Sequence, residues 1–146
     1  MSIPAFTTTG DLPVGIHPTK LAEVLHRFGN GSTDRKRLAQ RLERIYRLAK
    51  ETGFLRRFVV FGSFVTSKAD PNDVDVFMIM ENGFQYGQLP HESALLFDHQ
   101  AAESHFGCSV FWTRLLAALG GERSAIEDWQ IKRDGNLRGI IEITGE

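Results

Sequence analysis

Asp73-Val74-Asp75 sets two carboxylates two residues apart at the head of the apolar run Val76-Phe77-Met78-Ile79-Met80. Successive strand side chains alternate faces, so in a strand both carboxylates project to one side, about 7 Å apart at the backbone, while Val74 and Val76 point into the core. Two neighbouring anions repel, and they are most easily tolerated where a divalent cation neutralises them. Oxygen-rich carboxylate sites suit Mg2+ or Mn2+. Shortly before this pair, Val60-Phe61-Gly62-Ser63 reads as the end of another strand running into a tight turn.

These residues need a scaffold of strands and helices, and the chain predicts one. Phe58 to Phe61 is a short buried strand and Asp73 to Met80 a second, with a turn of helix at Phe64 to Lys68 and a turn at Asp70-Pro71-Asn72 between them. Upstream, a short helix carries Leu21, Val24, Leu25 and Phe28 on one face. A long one, capped by Ser32, Thr33 or Asp34 and reaching about Thr52, carries Leu38, Leu42, Ile45 and Ala49 at the helical period. Downstream the pattern predicts a helix from Pro90 to Phe106, a strand Cys108 to Trp112, a helix Arg114 to Leu119, and a final hairpin of Trp129 to Lys132 and Leu137 to Thr144 about Asp134-Gly135-Asn136. The expected fold class is α/β: a mixed, twisted sheet of four to five strands flanked by helices.

A chain of 146 residues, 42 % of them hydrophobic, fits one core. Residues 1–17, with Pro4, Gly10, Pro13 and Gly15, read as an extended N-terminal arm, and residues 18–146 as a single domain. The lone Cys108 forms no internal disulfide and reads as a buried small residue. The five histidines show no metal-ligand spacing. No apolar run approaches the roughly 20 residues of a membrane span, and the start lacks the blocks of a signal peptide. The expectation is a soluble, cytoplasmic protein that does not engage a membrane.

The net charge of −1 conceals two unlike halves. Residues 31–60 hold nine Lys/Arg against three Asp/Glu, and residues 61–130 hold three against ten. Either a phosphate-bearing ligand lies between them, or Arg35-Lys36-Arg37 and the arginines after it, with Arg37, Arg41 and Arg44 as one stripe, form a solvated helix face that pairs with the acidic half.

Hydrophobic-Gly62-Ser63, followed by Asp73-hydrophobic-Asp75-hydrophobic, resembles the signature of the DNA polymerase beta-like nucleotidyltransferase superfamily. In particular it is similar to the small bacterial members: minimal nucleotidyltransferases of toxin-antitoxin pairs and a related uncharacterised group. Leu12 to Pro18, Gly62 to Thr66, Pro71 to Val76, and Asp134 to Asn136 with Arg138-Gly139-Ile140 also look like that group. The resemblance implies that Gly62 and Ser63 approach the triphosphate of a bound nucleotide such as ATP, that Lys68 adds a positive charge, and that Asp73 and Asp75 are catalytic, metal-holding carboxylates.

The superfamily's third carboxylate, on the adjacent strand, is missing; Ser109 stands where it is looked for, and Glu142 on the last strand is a possible substitute. The implied function is metal-dependent transfer of a nucleoside monophosphate from a nucleoside triphosphate to a hydroxyl of a protein, an RNA end or a small molecule. The alternative is a catalytically degenerate module that binds nucleotide or a partner protein, as the antitoxin of a toxin-antitoxin pair would bind its toxin. An RNA-binding protein using the arginine-rich helix ranks below both.

Overall fold

Five strands form one mixed, open sheet in the computed structural model, which describes residues 3–146. The strands are β1 (Ile16–Thr19), β2 (Leu55–Phe61), β3 (Val74–Met80), β4 (Cys108–Arg114) and β5 (Ile140–Ile143), in the spatial order β1-β5-β2-β3-β4. The outer pairs β1/β5 and β3/β4 are parallel; β5/β2 and β2/β3 are antiparallel. β3 is an inner strand, paired on both sides and covered on both faces, which is why its sequence is an almost unbroken apolar run after Asp75.

One face of the sheet packs on α1 (Leu21–Phe28), α2 (Thr33–Glu51) and α4 (His99–Phe106). Val60, Val74, Val76, Met78 and Val110 point to this side and meet Leu38, Leu42, Ile45 and Ala49, all essentially inaccessible. α2 starts where Ser32 Oγ accepts from the Arg35 N–H at 3.1 Å. The opposite face is thinner. There Val59, Phe77, Ile79 and Ile140 pack on Ile126 of α5 (Glu122–Glu127) and on Trp129.

Several expected boundaries moved for physical reasons. The N-terminal arm, whose first two residues lie outside those described, is part of the sheet by Ile16, and its Leu12 is buried in the main core. The helix expected from Pro90 to Phe106 is two: α3 (His91–Leu95) and α4, the second begun by Asp98, which accepts from the Ala101 N–H at 3.0 Å. β4 continues to Arg114 and gives way to a single 3-10 turn at Leu115–Ala117 where a helix was expected. The terminal hairpin is only a tight turn with one bridge, Ile131 to Leu137. Trp129 lies in a 3-10 turn, and β5 pairs with β1 and β2. Among the described residues no helix is long and apolar enough to cross a membrane.

Candidate functional site

The link from β2 to β3 is built around a residue that must lack a side chain. Gly62 has φ +84°, and a Cβ there would overlap the Asp75 carboxylate, so only glycine lets the turn close against it. One 3-10 turn, Ser63–Val65, follows, with Thr66 Oγ1 donating to the Ser63 carbonyl at 2.7 Å. The loop is then held from below by a residue that resembles its basic neighbours in sequence. Arg35, 7 % exposed, donates to the carbonyls of Phe28 at 3.0 Å, Phe64 at 2.8 Å, Thr66 at 2.7 Å and Lys68 at 3.1 Å. Burial lowers its pKa, the charge of Asp70 opposes the shift, and the four carbonyls take up the guanidinium's donors.

Asp73 immediately precedes β3 and Asp75 is its second residue, set in register between Phe61 of β2 and Ser109 of β4. The two carboxyl groups lie within hydrogen-bond reach of each other. Ser109 Oγ donates to Asp73 Oδ2 at 3.1 Å. Burial, and then the charge of Asp73 and their mutual hydrogen bond, push the Asp75 carboxyl up to about 7; Ser109 and Arg138 oppose the shift. Asp75 therefore holds a proton more tightly than an ordinary aspartate unless a cation replaces it.

Of the residues singled out in the sequence, Gly62, Asp73, Asp75 and Ser109 come together, and Ser63 begins the half-buried turn beside them. Two do not join them. Glu142 faces the same side of the sheet, but it opposes Val59, so β2 separates it from Asp75, and Arg57 grips it through two hydrogen bonds of 2.7 and 2.6 Å. It is an ion-pair residue, not a third site carboxylate. Lys68 is exposed; its carbonyl accepts from Arg35 and its N–H donates to Thr66 Oγ1 at 3.2 Å, and no hydrogen bond or ion pair among the described residues joins it to either aspartate. The cation whose charge reaches Asp75 is Arg138.

The wider charge pattern resolves into internal pairs. Arg37 contacts Asp34, Arg44 contacts Glu92, and Arg41 lies against the Gly107 carbonyl at 3.5 Å. Cys108 is buried, which pushes its thiol up to about 12 and leaves it unreactive. Beyond Asp75 and Ser109, Phe61, Phe77 and Phe111 converge on Trp129 with ring centres 4.5, 5.1 and 5.0 Å away, an aromatic wall on the side of the sheet that carries the carboxylates.

Donor chemistry on the protein's side amounts to two carboxylates and a hydroxyl, since among the described residues no third His, Cys, Asp or Glu completes a metal-ligating cluster. That set fits a hard divalent cation which takes its remaining ligands from water and phosphate, as Mg2+ does. Fold and site together define an α/β protein with a paired-carboxylate centre at one end of a mixed sheet, closed by a glycine turn. The chain belongs to a family of unknown function, DUF6932, which matches residues 4–144. No curated protein and no solved structure matches it.

Proposed function

We propose that the protein is a metal-dependent nucleotidyltransferase, moving a nucleoside monophosphate from a nucleoside triphosphate such as ATP to a hydroxyl acceptor. The observation that carries this reading is the contact of the Gly62 turn with Asp75, which joins a side-chain-free backbone approach to a pair of carboxylates that repel each other without a cation. Asp73 and Asp75 are the residues that would hold Mg2+ or Mn2+. A cation held there would supply positive charge to offset that developing on the leaving pyrophosphate.

The chain's own residues have separate tasks. Gly62 and Ser63 leave room for phosphate oxygens close to the main chain, Ser109 orients Asp73 through its hydrogen bond, and Arg35 keeps the loop in place. The acceptor oxygen forms its bond to the α-phosphorus as the bond to pyrophosphate breaks. The acceptor's proton passes to water, because Ser109 offers no base. A triphosphate donor implies a cytoplasmic setting, and the acceptor is a partner protein, an RNA end or a small molecule.

One observation favours a second reading. The hydroxyl of Ser109 stands beside Asp75 where the resemblance calls for a carboxylate, and Glu142, held by Arg57, does not replace it. A module that binds metal-nucleotide or a partner such as a toxin, with chemistry slowed or lost, would look like this. Incubation with α-labelled ATP and Mg2+ separates the two readings: label transferred to protein, RNA or solvent hydroxyl by the parent and absent in Asp75→Asn supports transfer. Binding of Mg-ATP with no label transferred to any acceptor supports the binding module.

A further inference from the structure

Arg138 and Arg57 are equally exposed, 21 % each, yet they are used differently. Arg57 spends its guanidinium on Glu142 through two hydrogen bonds and on Glu122 at 3.3 Å. Arg138 has no side-chain hydrogen bond among the described residues; its nearest carboxylate, Asp11, is 3.9 Å away, beyond hydrogen-bond range. Asp11 is shared with Lys132, at 3.4 Å. A largely buried fork of five donors with no acceptor is costly unless something else supplies one.

The position of Arg138 indicates what that is. β5 runs antiparallel to β2 with Ile141 opposite Val60, so the residues just before β5 approach the Gly62-Ser63 turn that follows β2. Arg138 has the same parity as Ile140, which faces the side of the sheet carrying Asp75. The arm closes the other side: the Ser67 N–H donates to the Gly10 carbonyl at 2.9 Å, which brings Asp11 next to the same loop. Arg138 thus borders the carboxylate pair across the glycine turn, with Lys132 behind it on the shared Asp11, and its positive charge faces the place where phosphate oxygens would lie.

We propose that Arg138, assisted by Lys132 and held in position by Asp11 of the N-terminal arm, binds the polyphosphate end of a nucleoside triphosphate. This deepens the nucleotidyltransferase reading and rests on it for the identity of the ligand. The guanidinium supplies paired N–H donors to the β- and γ-phosphates, the geometry at which arginine outperforms lysine. It also takes the role that Lys68, exposed and engaged only through its main chain, does not fill.

Calorimetric titration with inorganic tripolyphosphate and with ATP, each with and without Mg2+, tests this in the parent, Arg138→Gln, Arg138→Lys and the double variant Asp73→Asn, Asp75→Asn. Loss of a charge-assisted hydrogen-bonding group should weaken tripolyphosphate and ATP roughly ten- to a hundred-fold in Arg138→Gln, with or without metal. Arg138→Lys should recover part of the affinity, and the double aspartate variant should lose only the Mg2+-dependent gain. Far-ultraviolet circular dichroism confirms that each variant is folded. Binding by Arg138→Gln equal to the parent overturns the inference and leaves the metal-nucleotide reading intact. A parent without any Mg2+-dependent gain, in which Arg138→Gln still loses tripolyphosphate, overturns that reading and keeps the anion site. A parent that binds neither ligand overturns both.

Discussion

Asp75 is the residue whose chemistry is most exposed to test, because its burial and its neighbour Asp73 hold its carboxyl near 7, not at the ordinary 3.8. The sign follows from linkage. Between 3.8 and about 7 the folded protein keeps a proton that the unfolded chain has lost, so without metal this group's contribution to stability falls as pH rises across that window. The metal-free Asp75→Asn variant should therefore have a higher Tm than the parent at pH 8, with the difference shrinking toward pH 4; thermal denaturation at the two pH values measures it. A variant less stable than the parent at pH 8 would mean that the anion is stabilised within the fold. Ser109 supports a second expectation. Ser109→Asp adds a carboxylate in register with Asp75, and where the parent transfers nucleotide slowly, transfer should rise at least about tenfold, a barrier change of roughly 1.4 kcal/mol. Labelled-nucleotide assays read this directly, and the gain should vanish when Asp75→Asn is added. The carboxylate pair was legible in the sequence because two aspartates alternating with valines can share only one strand face. The place of Ser109 was legible as the residue standing where a carboxylate was sought. Arg138 appeared only within a similar stretch, since the lack of a side-chain hydrogen bond to its guanidinium is a property of packing.

At the scale of elements, the β2-β3 loop depends on Gly62 below Asp75 and on Arg35 beneath the 3-10 turn. Removing the guanidinium in Arg35→Met leaves the Phe28, Phe64 and Thr66 carbonyls without their donor. The expected cost is about 2–4 kcal/mol in urea unfolding, together with weaker Mg-ATP binding, whereas Arg37→Gln on the same helix should change neither noticeably. Equal stability of Arg35→Met and the parent would show that the loop stands without this staple. Arg35 stands three residues before Leu38, on the stripe that runs through Leu42, Ile45 and Ala49, so the helical period carried its inward position; its charge, in a run with Lys36 and Arg37, read instead as surface. α5 went unseen because six residues with a single buried apolar one, Ile126, give no periodic signal. β1 and β5 find each other across most of the chain, and local pattern reading paired the final strand instead with its sequence neighbour through the Asp134-Gly135-Asn136 turn.

For the whole molecule, the separation into basic and acidic stretches is satisfied internally: α2 contributes arginines to Asp34 and Glu92, and β2 contributes Arg56 and Arg57 to Glu122 and Glu142. Replacing Arg37, Arg41 and Arg44 together by Gln should leave Mg-ATP affinity and its salt dependence unchanged, because those side chains belong to the helix face and Arg138 faces the site. A reduced salt slope for ATP would return the stripe to the ligand. The sheet sets its glycine turn, its two aspartates and its serine at one end, so recognition of a metal-bound triphosphate is the property on which the functional reading depends. Calorimetric titration of the parent with ATP, with and without Mg2+, beside the Asp73→Asn, Asp75→Asn variant, tests that property most directly. Binding strengthened by Mg2+ in the parent, with that gain abolished in the double variant, is the predicted result; equal Mg-ATP binding by the two proteins would contradict it.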